Sequence, residues 1–177
     1  MVDNSNPSSG LVLDRDEIVH NVTAACQEVF TTMLGIEATP GEPYVQKNVL
    51  GSAAGVMSLI GLAGTWTGAG SIICSPECAC RLASRLLMTE YQSVDHEVLD
   101  AVAELTNMIV GSFKTLVESR TGPLGLSIPS VVYGRNFNFR NGADEWTVVP
   151  FFSDDEQIEI RVCLAPSRAQ NKPGPGD

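Results

Sequence analysis

Residues 95–119 carry a single apolar stripe, and that stripe limits the architectures open to the chain. At 100° per residue, Val98, Val102, Leu105, Ile109, Phe113 and Leu116 fall within about 80° of one another. A helix with one apolar face has to bury it against a second layer. The segment opens at Ser93–Asp95 and stops at Thr121-Gly122-Pro123. Two further helices are predicted. Asp14, with Glu17 three residues on, makes a capping box. Ile18, Val22, Ala25, Val29 and Met33 then recur at helical spacing over roughly 15–34. Ser75-Pro76 places a capping serine ahead of a first-turn proline, and the helix it starts carries Leu82, Leu86 and Leu87 to about residue 90.

Between these helices the character changes. From Val49 to Cys74, small and β-branched residues fit two or three strands turning near Gly64-Thr65-Trp66-Thr67-Gly68. Thr39-Pro40-Gly41-Glu42-Pro43 reads as a breaker. Leu126–Gly134, Trp146–Phe152 and Ile158–Leu164 are three later strands, and Ile158, Ile160, Val162 and Leu164 alternate with polar neighbours. The expected fold is an α/β (α+β-like) sandwich, with the two long helices on one face of a largely antiparallel sheet and a possible internal duplication. Its 177 residues suit one domain, 14–165, between flexible tails at 1–13 and 166–177 that are polar or Pro/Gly-rich.

Charge narrows the partners. Twenty-one acids against eleven bases give a net charge of −10, which argues against nucleic acid and against anionic membrane surfaces. The longest apolar stretch, Ala53–Ala63, is too short to span a bilayer, and the N-terminus lacks the pattern of a signal peptide. The expected location is the cytoplasm. Cys26, Cys74, Cys78, Cys80 and Cys163 then read as reduced, buried thiols, because the Cys74-x3-Cys78-x-Cys80 spacing is not that of a zinc ribbon. Cys80-x5-Arg85 formally matches a cysteine-phosphatase run, but it falls within a predicted helix and lacks phosphate-cradling glycines.

The polar side of the long helix is the informative one. Asp100, Glu104, Asn107, Gly111 and Lys114 gather opposite the apolar stripe. Mid-helix asparagine costs about 0.5 kcal/mol relative to alanine, and exposed mid-helix glycine about 1 kcal/mol. This face has given up helix propensity, and a bare glycine one turn from a polar pair lets another backbone come close. Such a face suits docking into a cleft.

Asp100-x3-Glu104-x2-Asn107, with Gly111 following and 21 residues between Asn107 and Pro129, resembles the signature of the CheC/CheX/FliY family of phosphatases. These act on the chemotaxis response regulator CheY. The first helix offers Glu17-x-x-His20 and Glu28-x-x-Thr31 but no second E-x-x-N, so the chain resembles the single-site CheX type, whose known members are homodimers. The resemblance implies hydrolysis of an aspartyl phosphate on a CheY-like receiver domain. Asn107 would orient the attacking water, and Glu104 would pair with the partner's active-site lysine. Asp100 and Gly111 would serve as partner contacts. It implies no metal in this chain, the Mg2+ being held by the partner's acidic pocket. The alternative from a different class is a non-catalytic module that docks on or sequesters a phosphorylated receiver domain.

Overall fold

The computed structural model describes residues 13–47, 52–138, 145–153 and 156–167. Among these described residues the fold has three α-helices and an eight-stranded antiparallel sheet. Helix α1 (Arg15–Val29) starts where the Asp14 carboxylate accepts the Glu17 N–H at 2.7 Å. A π-helical turn, Phe30–Leu34, extends it to Gly35, whose φ of 64° ends the helix. Helix α2 (Pro76–Leu87) begins with Ser75 Oγ accepting the Cys78 N–H at 3.0 Å. Helix α3 (His96–Thr121) begins with Asp95 accepting the Val98 N–H at 3.0 Å, and stops at Gly122, φ 73°.

The strands are β1 (Thr39–Pro40), β2 (Tyr44–Lys47), β3 (Ser52–Gly64), β4 (Trp66–Cys74), β5 (Leu124–Leu126), β6 (Ser130–Asn138), β7 (Glu145–Ser153) and β8 (Glu156–Pro166). The central order is β7-β8-β4-β3. Strands β1 and β2 both flank β7, and β5 and β6 both flank β3. Exchanging α1 with α3, β1 and β2 with β5 and β6, β3 with β7, and β4 with β8 maps the order onto its own reverse. An internal duplication leaves that symmetry. Val56, Ile60, Ile72, Val149, Phe151, Ile158 and Ile160 form the sheet's side of the core beneath the helices.

Five expectations are corrected. The breaker at 39–43 itself holds the short strand β1 and is followed by β2, and both pair with β7 more than 95 residues away. Two- and four-residue edge strands beside prolines leave no periodic trace. The strand expected over 126–134 is split, because Pro129 has no N–H to donate and restricts the residue before it. As a result β5 and β6 meet β3 at opposite ends. Met33 is 47% exposed, since the π-helical turn shifts the phase and buries Phe30 and Leu34 instead. Leu116 is 43% exposed while Val117 is buried. Phe113, Val117 and Thr121 follow a seam at steps of four, as a straight helix does across a twisted sheet. At the end of α2, Leu87 is likewise exposed.

Two glycines sort packing from openness. A methyl group on Gly70 of β4 would lie 2.4 Å from Val110 Cγ2, so glycine there is what lets α3 lie close to the sheet. Gly111 does the opposite. A methyl there would meet only Leu126 Cδ1 at 3.8 Å, an ordinary contact. The internal packing of the domain gives no reason for glycine at 111.

Candidate functional site

α3 is held over the sheet by its neighbours, and this fixes which of its faces points outward. Its apolar side (Val98, Val102, Leu105, Ile109, Phe113) is buried. On one flank α1 runs antiparallel to it. Arg120 Nη1 donates to Glu17 Oε1 at 3.2 Å near one end of the pair, and Ser112 Oγ donates to Glu28 Oε2 at 2.8 Å further along. On the other flank lie β5 and β6. The outward face therefore has Asp100 and Glu104 exposed, with Asn107 and Gly111 half-buried. The half-burial of Asn107 is explained by its angle. It sits about 60° round from Glu104, toward the flank where Leu126 lies beside Gly111.

Glu104 and Asn107, three apart on a helix, place their Cβ atoms about 5–6 Å from each other. Among the described residues, neither side chain has a hydrogen-bond or ion-pair partner, and neither has Asp100. Their neighbours on the face differ. Lys114 Nζ lies 2.7 Å from Glu118 Oε1. The same carboxylate accepts the Leu124 N–H at 3.0 Å. That backbone donor first, and the lysine second, hold the Glu118 carboxyl below the usual range. Glu118 thus ties the end of α3 to the start of β5, while Glu104 and Asn107 are free to engage something outside the domain.

The first helix gives the control. Its two glutamates in E-x-x contexts, Glu17 and Glu28, are the ones engaged by Arg120 and Ser112. The sequence separates α1 from α3 by the missing asparagine alone. The structure adds that these two carboxylates already have partners. Tyr91, in the connection from α2 to α3, donates its hydroxyl to Glu97, and that hydrogen bond is the main reason its pKa is pushed up to about 12.

Other chemistries have poor footing. All five cysteines are buried and reduced, as the sequence predicts. Burial raises the thiols of Cys26 and Cys80, and a neighbouring thiol, Cys78, together with burial raises Cys74. Such groups are weak nucleophiles. Cys80 and Arg85 both lie inside α2, so the cysteine-phosphatase spacing is incidental. Among the described residues no three His, Cys, Asp or Glu side chains are grouped to hold a metal ion. A cavity of about 220 Å³ is lined by Ile36, Cys78, Arg81, Leu82, Glu156 and Ile158, among others, and shares no residue with the α3 face. Arg81 there is already bonded to Glu156.

Sequence reasoning marked Pro129 but passed over the corner around it. Leu126 lies beside Gly111 and, with the Ser127-Ile128 pair that follows it, leads into the corner between β5 and β6. The only local signal was an isoleucine immediately before a proline.

Comparison with known proteins gives one consistent answer. Residues 56–152 match the family described as chemotaxis phosphatase CheX. A curated relative, the CheY-P phosphatase CheX of Thermotoga maritima, is 26% identical over 125 residues, 70% of this chain and 80% of that one. The chemotaxis protein CheX of Vibrio vulnificus superposes with a TM-score of 0.73 at 26% identity, covering 84% of this chain and 99% of that chain. A CheX–CheY–BeF3–Mg2+ complex from Borrelia burgdorferi superposes with a TM-score of 0.68 at 30% identity, covering 83% and 97%. Among the described residues, no helix is long and apolar enough to cross a membrane.

Proposed function

The chain belongs to the chemotaxis phosphatase CheX family, and from that premise we propose that it hydrolyses the aspartyl phosphate of a CheY-like receiver domain through the outward face of α3. The observation that carries this reading is the pair Glu104 and Asn107, side by side on that face and without partners among the described residues. Asp100 and Gly111 complete the docking surface, Gly111 because its open backbone lets the partner approach.

An acyl phosphate is already labile, and the reaction consumes one water to give aspartate and inorganic phosphate. The catalyst has to hold that water in line with the P–O bond. The Asn107 carboxamide suits this role. It accepts and donates hydrogen bonds at once, carries no charge to repel the phosphoryl oxygens, and does not titrate. Glu104 would pair with the lysine of the receiver's active site and set the register. The Mg2+ belongs to the receiver, where it neutralises charge on the phosphoryl group. The CheX–CheY complex from Borrelia burgdorferi, with BeF3 and Mg2+, supports a partner of this type.

The test is the decay of receiver phosphate with this chain at one-hundredth of the receiver's concentration. Turnover at that ratio is the expected result. Protection of the phosphate, or an effect only at equal concentration, would favour the sequestering module instead. The reading places the protein in the cytoplasm, where receiver domains are. It also makes it a homodimer joined through sheet edges, which is supported by exposed apolar side chains on both edges: Tyr44 and Val45 on β2, Val132 and Tyr133 on β6. Sedimentation at micromolar concentration should give a dimer, and a monomer there would refute that assembly.

A further inference from the structure

The corner between β5 and β6 carries an isoleucine in the open. Ile128 is 88% exposed, yet the chain around it is firmly held. The Ser127 N–H donates to the Gly61 carbonyl at 2.9 Å, and the Gly61 N–H donates to Ser127 Oγ at 2.8 Å. Ser127 Oγ in turn donates to the Ile128 carbonyl at 3.1 Å. Pro129 restricts the backbone of Ile128 to extended conformations, and β-branching stiffens its side chain. An apolar group fixed in water has little conformational freedom left to lose when a partner covers it.

Its place relative to the α3 face follows from the chain. Leu126 Cδ1 lies 3.8 Å from where a Gly111 methyl would stand. Two residues of chain span at most about 7 Å, so Ile128 is on the rim of the surface that holds Gly111 and, one turn away, Asn107. The electrostatics also call for an uncharged contact. Asp100 and Glu104 make the face acidic, on a chain of net charge −10, and the receiver's metal pocket is acidic too. Beside the Glu104–lysine pair, apolar area adds affinity for such a partner without adding charge repulsion.

We propose that Ile128 is the apolar anchor of the receiver-docking surface, seating on an apolar patch of the partner beside its phosphorylation site. The proposal rests on the functional reading above and deepens it. Ile128 is a positioning residue: it touches the partner and leaves the reacting atoms to Glu104 and Asn107.

The experiment compares the full chain with its Ile128→Ser and Ile128→Leu variants, using a CheY-type receiver domain of the same organism loaded with beryllofluoride and Mg2+. Ile128→Ser should bind about 10- to 100-fold more weakly, the range expected for leaving a large aliphatic side chain uncovered. KM for dephosphorylation should rise by the same factor with kcat unchanged, and Ile128→Leu should recover most of the loss. Unchanged thermal midpoints would confirm that folding is intact. If Ile128→Ser binds and turns over like the parent, the anchor is refuted and the catalytic reading stands. If the parent binds without turnover and Ile128→Ser weakens binding, the anchor is upheld and the catalytic reading fails. If the parent neither binds nor turns over, both fall.

Discussion

Asn107→Ala should lower the rate at which this protein stimulates loss of receiver phosphate by about 100-fold or more, the usual cost of removing one group that positions the reacting atoms. The fold should not suffer. Asn107 is half-buried and has no partner among the described residues. Alanine is the better helix former by about 0.5 kcal/mol, so the thermal midpoint should hold or rise by about 1–2 °C. Affinity for the beryllofluoride-loaded receiver should stay close to the parent's, because a water-orienting amide stabilises the transition state more than the docked complex. Receiver-phosphate decay and a binding isotherm, measured on the same preparation, separate the two effects. Full activity in Asn107→Ala would remove the amide from the mechanism.

Glu104→Ala should fail differently. A carboxylate that pairs with the partner's lysine contributes to the docked complex as well as to the chemistry. Truncating one member of a desolvated interfacial pair costs about 2–5 kcal/mol, so binding should weaken by at least about 30-fold. Turnover should fall with it. Glu104→Gln keeps the shape and loses the charge, and most of the affinity should still be lost. Asp100→Ala, at an exposed carboxylate a turn away, should cost less than about 1 kcal/mol. A Glu104→Ala variant that bound the loaded receiver as tightly as the parent would show that this carboxylate does not dock.

The contrast between the two positions depends on the rest of α3 being inert to both changes, and the packing favours that. The buried side is carried by Val98, Val102, Leu105, Ile109 and Phe113. The attachment to α1 runs through Ser112 and Arg120, and the attachment to β5 through Glu118. None of these contacts involves Glu104 or Asn107.

Much of this protein could be read locally. Helix starts at Asp14, Ser75 and Asp95, and the stop at Gly122, follow from capping groups within a few residues of the ends they serve. The angular positions of Asp100, Glu104, Asn107 and Gly111 follow from the helical period alone, so the polar face was available from the sequence. Contacts between distant parts of the chain decided the rest. Met33 is exposed because a π-helical turn, tolerated by packing, rotated it outward. Strands β1 and β2 exist because β7 pairs with them. Gly70 and Gly111 are the same residue in the sequence. A methyl on the first would lie only 2.4 Å from Val110, too close for any side chain, and one on the second would meet only Leu126 at 3.8 Å. Glu28 and Glu104 are likewise both helical glutamates, but Ser112 has claimed the first and the second has no partner among the described residues. Periodicity sets the direction in which a side chain leaves its helix. What it meets there is set by elements tens of residues away, and that is why availability for a partner could be seen only in the folded chain.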